Sequence, residues 1–318
     1  MLIILYIILF IILCLVLAKA TALVSRALVS LSNFFAWSKF FIGFILMAFV
    51  TSLPELIVGI SSAISNVPSL SLGNVLGSNI ANLTLILGIT AVLAGQVSVL
   101  RQVTLRSASF LFFIALLPLL LMADMGISRI DGIILLLVFV LYMRFLIKER
   151  KSNNHEKEIN IVQKPIKSFF KSIGIFVFSA GLLLASAWGI TWIAMQIAEL
   201  AHVPLFIIGI VGVALGTSLP ELAFGIFAIW RHEKHGLHLG NLLGSVAINA
   251  SLILGATAII RPIKIQFNPS LWTAVIFTVL IIAFFNFFMR TKKKVSWLEG
   301  VILIVFYIIF VVLQAFIK

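Results

Sequence analysis

The chain has 318 residues, of which 62% are hydrophobic and only 10% charged, and its mean hydropathy is +1.24. A water-soluble chain of that length is nearer half apolar and a quarter charged, so this one must use lipid as part of its solvent. The net charge of +13 would point to nucleic acid in a soluble protein; here the bases flank apolar runs, where loop charge sets membrane orientation, and a nucleic-acid partner is excluded. A single cysteine, Cys14, rules out an internal disulfide and a Cys-rich metal site.

Crossing a hydrocarbon core of about 30 Å takes about 20 mostly apolar residues. Ten segments meet this in chain order: Met1 to Ala18, Phe40 to Ile64, Leu70 to Leu93, Ser107 to Ala123, Gly132 to Ile147, Phe169 to Ile197, Leu205 to Trp230, Leu237 to Ile260, Ser270 to Met289 and Trp297 to Ile317. The fourth and fifth are the shortest. Ala18, Lys19 and Ala20 have the look of a signal-cleavage site, but no basic stretch precedes the apolar run, so the first segment is expected to be a mature helix. The expected fold is an all-α membrane protein of ten transmembrane helices.

The 23 Lys and Arg residues divide unevenly between the two faces such a plan creates. One set of loops holds 19 of them, from Lys19, Arg26 and Lys39, through Arg101, Arg106 and eight between Arg144 and Lys171, to Arg231, Lys234, Arg290 and Lys292 to Lys294; the other holds Arg129, Arg261, Lys264 and Lys318. The positive-inside rule then predicts a multi-pass protein of the cell membrane with both termini outside and the polar stretch 148–167 in the cytoplasm. That stretch divides the chain into 1–147 and 168–318, five segments each, and is too short to fold by itself.

The two halves repeat each other. FILMAFVTSLPELIVGI in the second segment matches IVGVALGTSLPELAFGI in the seventh, and SLGNVLGSNIANLTLILG in the third matches HLGNLLGSVAINASLILG in the eighth. The offset is 166 residues at Thr51 and Thr217 and 167 at Gly73 and Gly240. With five segments per half, the second copy enters the membrane from the opposite side. Inverted-topology repeats of this kind place a transport site at the bilayer midplane between the copies.

Glu55 and Glu221 stand in the interior of apolar segments, where a carboxylate costs on the order of 3 kcal/mol on insertion scales. No Lys or Arg lies in the membrane interior of either repeat to pair with them, so a pair of cation-seeking acids is the expectation, against a merely structural capping role. Each follows a proline, Pro54 or Pro220, that leaves the carbonyl four residues back, on Val50 or Gly216, without its helical donor. Thr51 and Ser52 lie four and three residues before Glu55, on the same helical face, as do Thr217 and Ser218 before Glu221. Ser78 and Asn82, with Ser245 and Asn249, supply a polar stripe on the partner helices. Such residues also serve as interhelical hydrogen-bond glue, but their recurrence in both copies favours a ligand role. Gly73, Gly77 and Gly88, with Gly240, Gly244 and Gly255, are expected to allow close helix packing.

Every one of these groups offers oxygen, which suits calcium or sodium and disfavours zinc and copper. His232, His235 and His238 have a metal-like rhythm, but they are expected to lie in a solvated cytoplasmic turn.

TSLPEL in two copies, each followed by a GN..GS....N stretch, resembles the two alpha-repeats of the sodium/calcium exchanger family of the cation/calcium antiporter superfamily. The resemblance implies that Glu55 and Glu221 bind calcium, and that backbone and hydroxyl groups of Ala48, Thr51, Ser52, Ser78, Ala214, Thr217, Ser218 and Ser245 bind sodium and share the calcium site. It implies a secondary active antiporter and no enzyme, with calcium and sodium ions as cargo, the lipid bilayer as its surroundings, no cofactor and no obligate protein partner. Two positions depart from the family pattern. Val50 replaces the usual glycine of GTSLPE, kept as Gly216, and Asn249 stands where many relatives, the potassium-dependent ones included, have Asp. Two carboxylates still balance one calcium ion. The GNxxE setting of the proton/calcium branch is absent from both repeats. Proton- or potassium-coupled exchange is therefore an alternative, a cation channel a more distant one, and an intramembrane hydrolase lacks a His or Lys base inside the repeats.

Overall fold

The computed structural model describes residues 2–32, 47–98, 105–152, 166–230, 236–265, 268–291 and 294–316. Lys39, Arg101, His232, His235 and the middle of the charged linker, 153–165, lie outside these segments. The protein is almost wholly helical, as a chain with no water to satisfy its backbone must be.

Helix α1 (Leu2–Ser32) is followed by α2 (Met47–Thr51) and α3 (Leu53–Ile64), then α4 (Pro68–Ala81), which runs through a widened turn, Asn82–Ile86, into α5 (Leu87–Ala94). After strand β1 (Gln96–Ser98) come α6 (Leu105–Leu121), β2 (Gly126–Ile127) and α7 (Arg129–Ser152). The second half begins with α8 (Ile166–Ala201) and the short α9 (Leu205–Ile207), which passes through a widened turn, Ile208–Val213, into α10 (Ala214–Thr217), and then continues in α11 (Leu219–Trp230). It ends with α12 (Gly236–Ile248), a widened turn Asn249–Ile253, α13 (Leu254–Ile260), β3 (Ile263–Lys264), α14 (Pro269–Thr291), β4 (Lys294–Ser296) and α15 (Trp297–Phe316). Among the described residues, six stretches are long and apolar enough to cross a membrane, from Leu2–Ala27 to Trp297–Phe316, and Leu53–Ile64, Phe110–Asp124 and Pro269–Phe285 are shorter apolar helices. It is an integral, multi-pass membrane protein.

Local chemistry explains the breaks. Pro54 and Pro68 sit in the first turns of α3 and α4, where a missing N–H costs nothing. Gly95 ends α5 at φ +76°, in the region where a side chain would be strained. The strands pair across the halves, β1 with β4 through Val97 and Val295, and β2 with β3 through Ile127 and Ile263. Under the sequence repeat these two pairs correspond to each other.

Burial separates two layers. Over a membrane-length stretch, 83% of residues in Pro68–Ala94 and 78% in His238–Ile260 are buried, against 11% in Leu2–Ala27 and 28% in Phe169–Ala201. Backbones meet at the glycines of the inner layer: a Cβ on Gly73 or Gly77 would overlap the carbonyl oxygen of Phe206 or Ile210. Gly88 approaches Gly300, and Gly255 approaches Gly132, in the same way. Outside this core, α1 lies along α8. Leu13 fills the space over Gly189, and Tyr6 meets Trp192 edge to face at 5.8 Å. Their inner sides form small clusters of their own with the motif helices, Cys14, Leu17, Ala187 and Ile190 with Val58 and Val213, and Ala20, Val24 and Leu183 with Val50.

Candidate functional site

The two TSLPEL segments bend at equivalent points. The helix is interrupted at Ser52 (φ −85°, ψ 0°) and at Ser218 (φ −84°, ψ 1°), two residues before Pro54 and Pro220. Glu55 and Glu221 follow in the first turns of α3 and α11, where a carboxylate meets the positive end of the helix. Both are fully buried and lie near enough to feel each other's charge.

One oxygen of each acid is held by a serine from the partner helix of its own repeat. Ser78 donates to Glu55 Oε1 at 3.4 Å and Ser245 to Glu221 Oε1 at 2.9 Å. The second oxygen of each, Oε2, has no hydrogen-bond partner. The threonines do not stay with the acid of their own helix, as helical spacing alone predicts. Because the segment breaks after Thr51 and after Thr217, both turn to the opposite repeat: Thr51 donates to Asn241 Oδ1 at 3.3 Å and lies against Glu221, and Thr217 donates to Asn74 Oδ1 at 3.0 Å and lies against Glu55. Ser52 likewise pairs across with Ser245 at 2.6 Å. The carbonyls of Ala48 and Ala214 face the same hydroxyls, at 3.4 and 3.3 Å.

Asn82 and Asn249 each open a widened turn. The N–H of Leu87 reaches back five residues to Asn82 O, and that of Leu254 to Asn249 O, an irregularity that recurs at functional sites in membrane and soluble helices alike. Asn249 Nδ2 donates to Asn79 Oδ1 at 3.1 Å, leaving Asn249 Oδ1 open, while both amide atoms of Asn82 are open. All twelve residues singled out from the sequence are buried, and hydrogen bonds join Thr51, Ser52, Ser78, Thr217 and Ser245 to each other, to the glutamates or to Asn74 and Asn241.

Among the described residues, ten buried side-chain polar atoms lack a partner, and eight belong here: Oε2 of both glutamates, Oδ1 and Nδ2 of Asn82, Oδ1 of Asn249, Oγ of Ser218, and Nδ2 of Asn74 and Asn241. Each such atom costs about 1–3 kcal/mol when left unpaired, so a cluster of them is a place built to receive something. The open carboxylate, amide and hydroxyl oxygens match the ligands of a hard cation. Among the described residues no group of three His, Cys, Asp or Glu is placed to hold a metal ion.

Three asparagines went unnoticed in the sequence reading. Asn74 and Asn241 recur in both copies, directly after Gly73 and Gly240, and the repeat criterion alone could have found them. Asn79 has no counterpart, since Val246 stands in its place, and only the fold reveals it. The histidine expectation needs correction: His238 is buried, 3% exposed, and its Nε2 lies 3.1 Å from Thr90 Oγ1. It belongs to the packing between α12 and α5, over Gly225, because α12 begins at Gly236 and carries it inward; His232 and His235 lie outside the described residues.

Comparison with known proteins adds independent findings. The sodium/calcium exchanger protein family matches residues 5–148 and 171–316, one match for each half. The sodium/calcium exchanger MaX1 of Methanosarcina acetivorans is 27% identical over 319 aligned positions, covering 88% of this chain and 90% of its own. An uncharacterised membrane protein of Methanocaldococcus jannaschii is 29% identical, with 88% of both chains covered. Among solved structures, the sodium-calcium exchanger NCX_Mj soaked with sodium and strontium superposes with a TM-score of 0.66 at 26% identity, over 96% of each chain. An H+/Ca2+ exchanger superposes with a TM-score of 0.75 at 17% identity, over 98% of this chain and 86% of its own, a likeness of fold alone.

Proposed function

Because this chain belongs to the sodium/calcium exchanger family of membrane antiporters, we propose that it exchanges sodium for calcium at a single buried site built from Glu55 and Glu221. The observation that carries the reading is the pair of fully buried glutamates, each with one oxygen held by a serine and the other open. Two carboxylates balance the charge of one calcium ion. Ser52, Ser78, Asn82 and Ala48, with Thr51 and their counterparts Ser218, Ser245, Asn249, Ala214 and Thr217, bring ten more oxygen-bearing residues to the acids, more than the six to eight oxygens calcium takes as a rule, so calcium uses a subset of them. Sodium, with half the charge, relies more on the neutral oxygens of that set, and the two ions compete for the same acids.

The protein in this reading has ten membrane helices in two inverted repeats, 1–147 and 168–318, joined by a cytoplasmic linker at 148–167, with both termini outside. Alternating access comes from sliding of α1 and α8 past the rest. What supports this is their packing: they touch each other along their length, contribute little to the main core, and cover the motif helices through small clusters around Cys14 and Val50. A packed inner bundle with an outer pair held to it through smaller clusters is a division along which one body can move against the other.

The deciding experiment is calcium uptake into liposomes holding the purified protein, measured against sodium, potassium and proton gradients separately. Uptake driven by an outward sodium gradient is expected. Uptake that follows a proton gradient instead would reassign the coupling, and calcium flux indifferent to any counter-ion would make the protein a channel. Topology has its own check: a cysteine introduced as Ser152→Cys should react with an impermeant thiol reagent only from the cytoplasmic face.

A further inference from the structure

A threonine hydroxyl has one proton to give and two lone pairs to offer, and at this site the proton has several claimants. Around Thr217 these are Asn74 Oδ1 at 3.0 Å, the Ala214 carbonyl at 3.3 Å, Ser78 Oγ at 3.4 Å and the Glu55 carboxylate. Around Thr51 they are Asn241 Oδ1 at 3.3 Å, the Ala48 carbonyl at 3.4 Å and the Glu221 carboxylate. In both repeats the nearest acceptor is the asparagine amide of the other repeat. Both asparagines are fully buried, and the Nδ2 of each has no partner.

We propose that Asn74 and Asn241 are positioning residues that set the sodium affinity of the site: each takes the hydroxyl proton of the threonine facing it, and so leaves that threonine's oxygen and the neighbouring alanine carbonyl free to face sodium. The proposal rests on the exchange reading above and deepens it. With the hydroxyl donating its hydrogen bond to the amide oxygen, the Thr217 lone pairs, the Ala214 carbonyl and the Glu55 charge are all open to an ion. Were the proton to go to the carbonyl, that neutral ligand would be partly used. Were it to go to the carboxylate, part of the negative charge would be spent on a hydroxyl. Calcium depends chiefly on the two carboxylates, whose attraction to a divalent ion far outweighs that to a hydroxyl proton. Sodium carries half the charge and depends in larger proportion on neutral oxygens. Losing either asparagine therefore weakens sodium more than calcium, and the effect passes through a bond between the repeats, Asn74 to Thr217 and Asn241 to Thr51.

The test uses the purified full-length protein in liposomes, with half-saturating sodium and calcium measured for each variant. Asn74→Leu and Asn241→Leu should each raise half-saturating sodium about tenfold, the scale of one buried hydrogen bond, and calcium by less than about twofold. Double-mutant cycles locate the action. Asn74→Leu added to Thr217→Val should cost nothing further, whereas Asn74→Leu added to Thr51→Val should multiply the two losses. Equal shifts for sodium and calcium, or matched pairs that multiply like mismatched ones, overturn the proposal. If the leucine variants do not fold, Asn74→Ala and Asn241→Ala remove the same acceptor without bulk. Failure of all four to fold makes the asparagines structural and overturns the proposal too. A wild-type protein without sodium-dependent uptake overturns the exchange reading and this inference together; sodium dependence in the wild type with equal shifts in the variants overturns this inference alone.

Discussion

Gly216 in the second repeat stands where the first has Val50, and the two meet the outer helices in opposite ways. A Cβ on Gly216 would run into Cys14 Sγ of α1, whereas Val50 fills its own side and packs on Leu183 of α8 with Ala20 and Val24 of α1. Nearby, Ser52 is paired with Ser245 while Ser218 Oγ has no partner, and Asn249 is tied to Asn79 while both amide atoms of Asn82 are open. Yet the innermost bonds are duplicated: serine to glutamate, threonine to the other repeat's asparagine. The lesson is that the serine–glutamate and threonine–asparagine bonds obey one constraint in both copies, while the side-chain partners around them differ. Under the proposed inverted topology, a residue equal in both copies serves both sides of the membrane alike, and an unequal pair makes the two routes to the site inequivalent.

The duplicated part is broken most severely at the acids. Glu55→Gln and Glu221→Gln each keep the shape and remove half of the negative charge, so each should abolish calcium uptake while the protein still purifies as a folded species. Equal severity is expected from their equivalent surroundings. Full exchange by either variant would place the ion elsewhere.

The unequal part is probed next at Gly216. Gly216→Ala places a methyl where Cys14 Sγ now sits, an overpacking that costs about 1–3 kcal/mol. If α1 moves over this surface during transport, turnover should fall about tenfold or more, with half-saturating calcium little changed. The compensating change Cys14→Ala should restore it, because it removes the sulfur that collides. The mirror change, Val50→Gly, opens space instead of closing it and should slow turnover far less. Turnover of Gly216→Ala that Cys14→Ala fails to restore would mean that the α1 contact does not limit the rate.

What was readable beforehand follows the same division. Glu55 and Glu221 announced themselves because an acid in an apolar run is expensive and because the text around it occurs twice. Gly73, Gly77, Gly88 and Gly255 were equally legible, since they lie where only a bare backbone fits against Phe206, Ile210, Gly300 and Gly132. Helical spacing failed at Thr51 and Thr217, because it assumes an unbroken helix, and the interruption at Ser52 and Ser218 turns both threonines toward the other repeat. It failed at His238 for want of knowing where α12 begins. The widened turns at Asn82 and Asn249 carry no compositional mark, and Asn79, being unrepeated, gave the sequence nothing to compare.

Asn79 offers a smaller test of the unequal shell. Its Oδ1 is the partner of Asn249 Nδ2, and that bond fixes the orientation of the Asn249 amide. Asn79→Leu leaves the donor buried without a partner and should raise half-saturating calcium about fivefold, the scale of one such bond. The same substitution has no equivalent in the second repeat, where Val246 is already apolar. An unchanged calcium dependence would mean that Asn249 is oriented by something other than Asn79.

The smallest expected effect is none at all, and it concerns potassium. Asn249 is neutral, so the site offers two negative charges, enough for one calcium ion with nothing spare to retain a potassium ion alongside it. Its amide contributes an open Oδ1 and a donor already committed to Asn79. Sodium-driven calcium uptake should therefore run at the same rate when potassium is withdrawn from both sides of the liposome. Asn249→Asp sharpens the point by adding a third carboxyl beside two others, a group that exchanges protons where an amide does not. That variant should keep calcium exchange and acquire a dependence on pH, and on potassium, that the parent lacks. Its carboxylate cannot donate to Asn79 Oδ1, though a turned Asn79 amide can donate to it, so comparison with Asn79→Leu, which offers neither group and adds no charge, separates charge from orientation. Wild-type uptake that stops without potassium would show that two carboxylates and an amide hold more cations than their charge balances, and would return Asn249 to the role its aspartate counterparts play in potassium-dependent relatives.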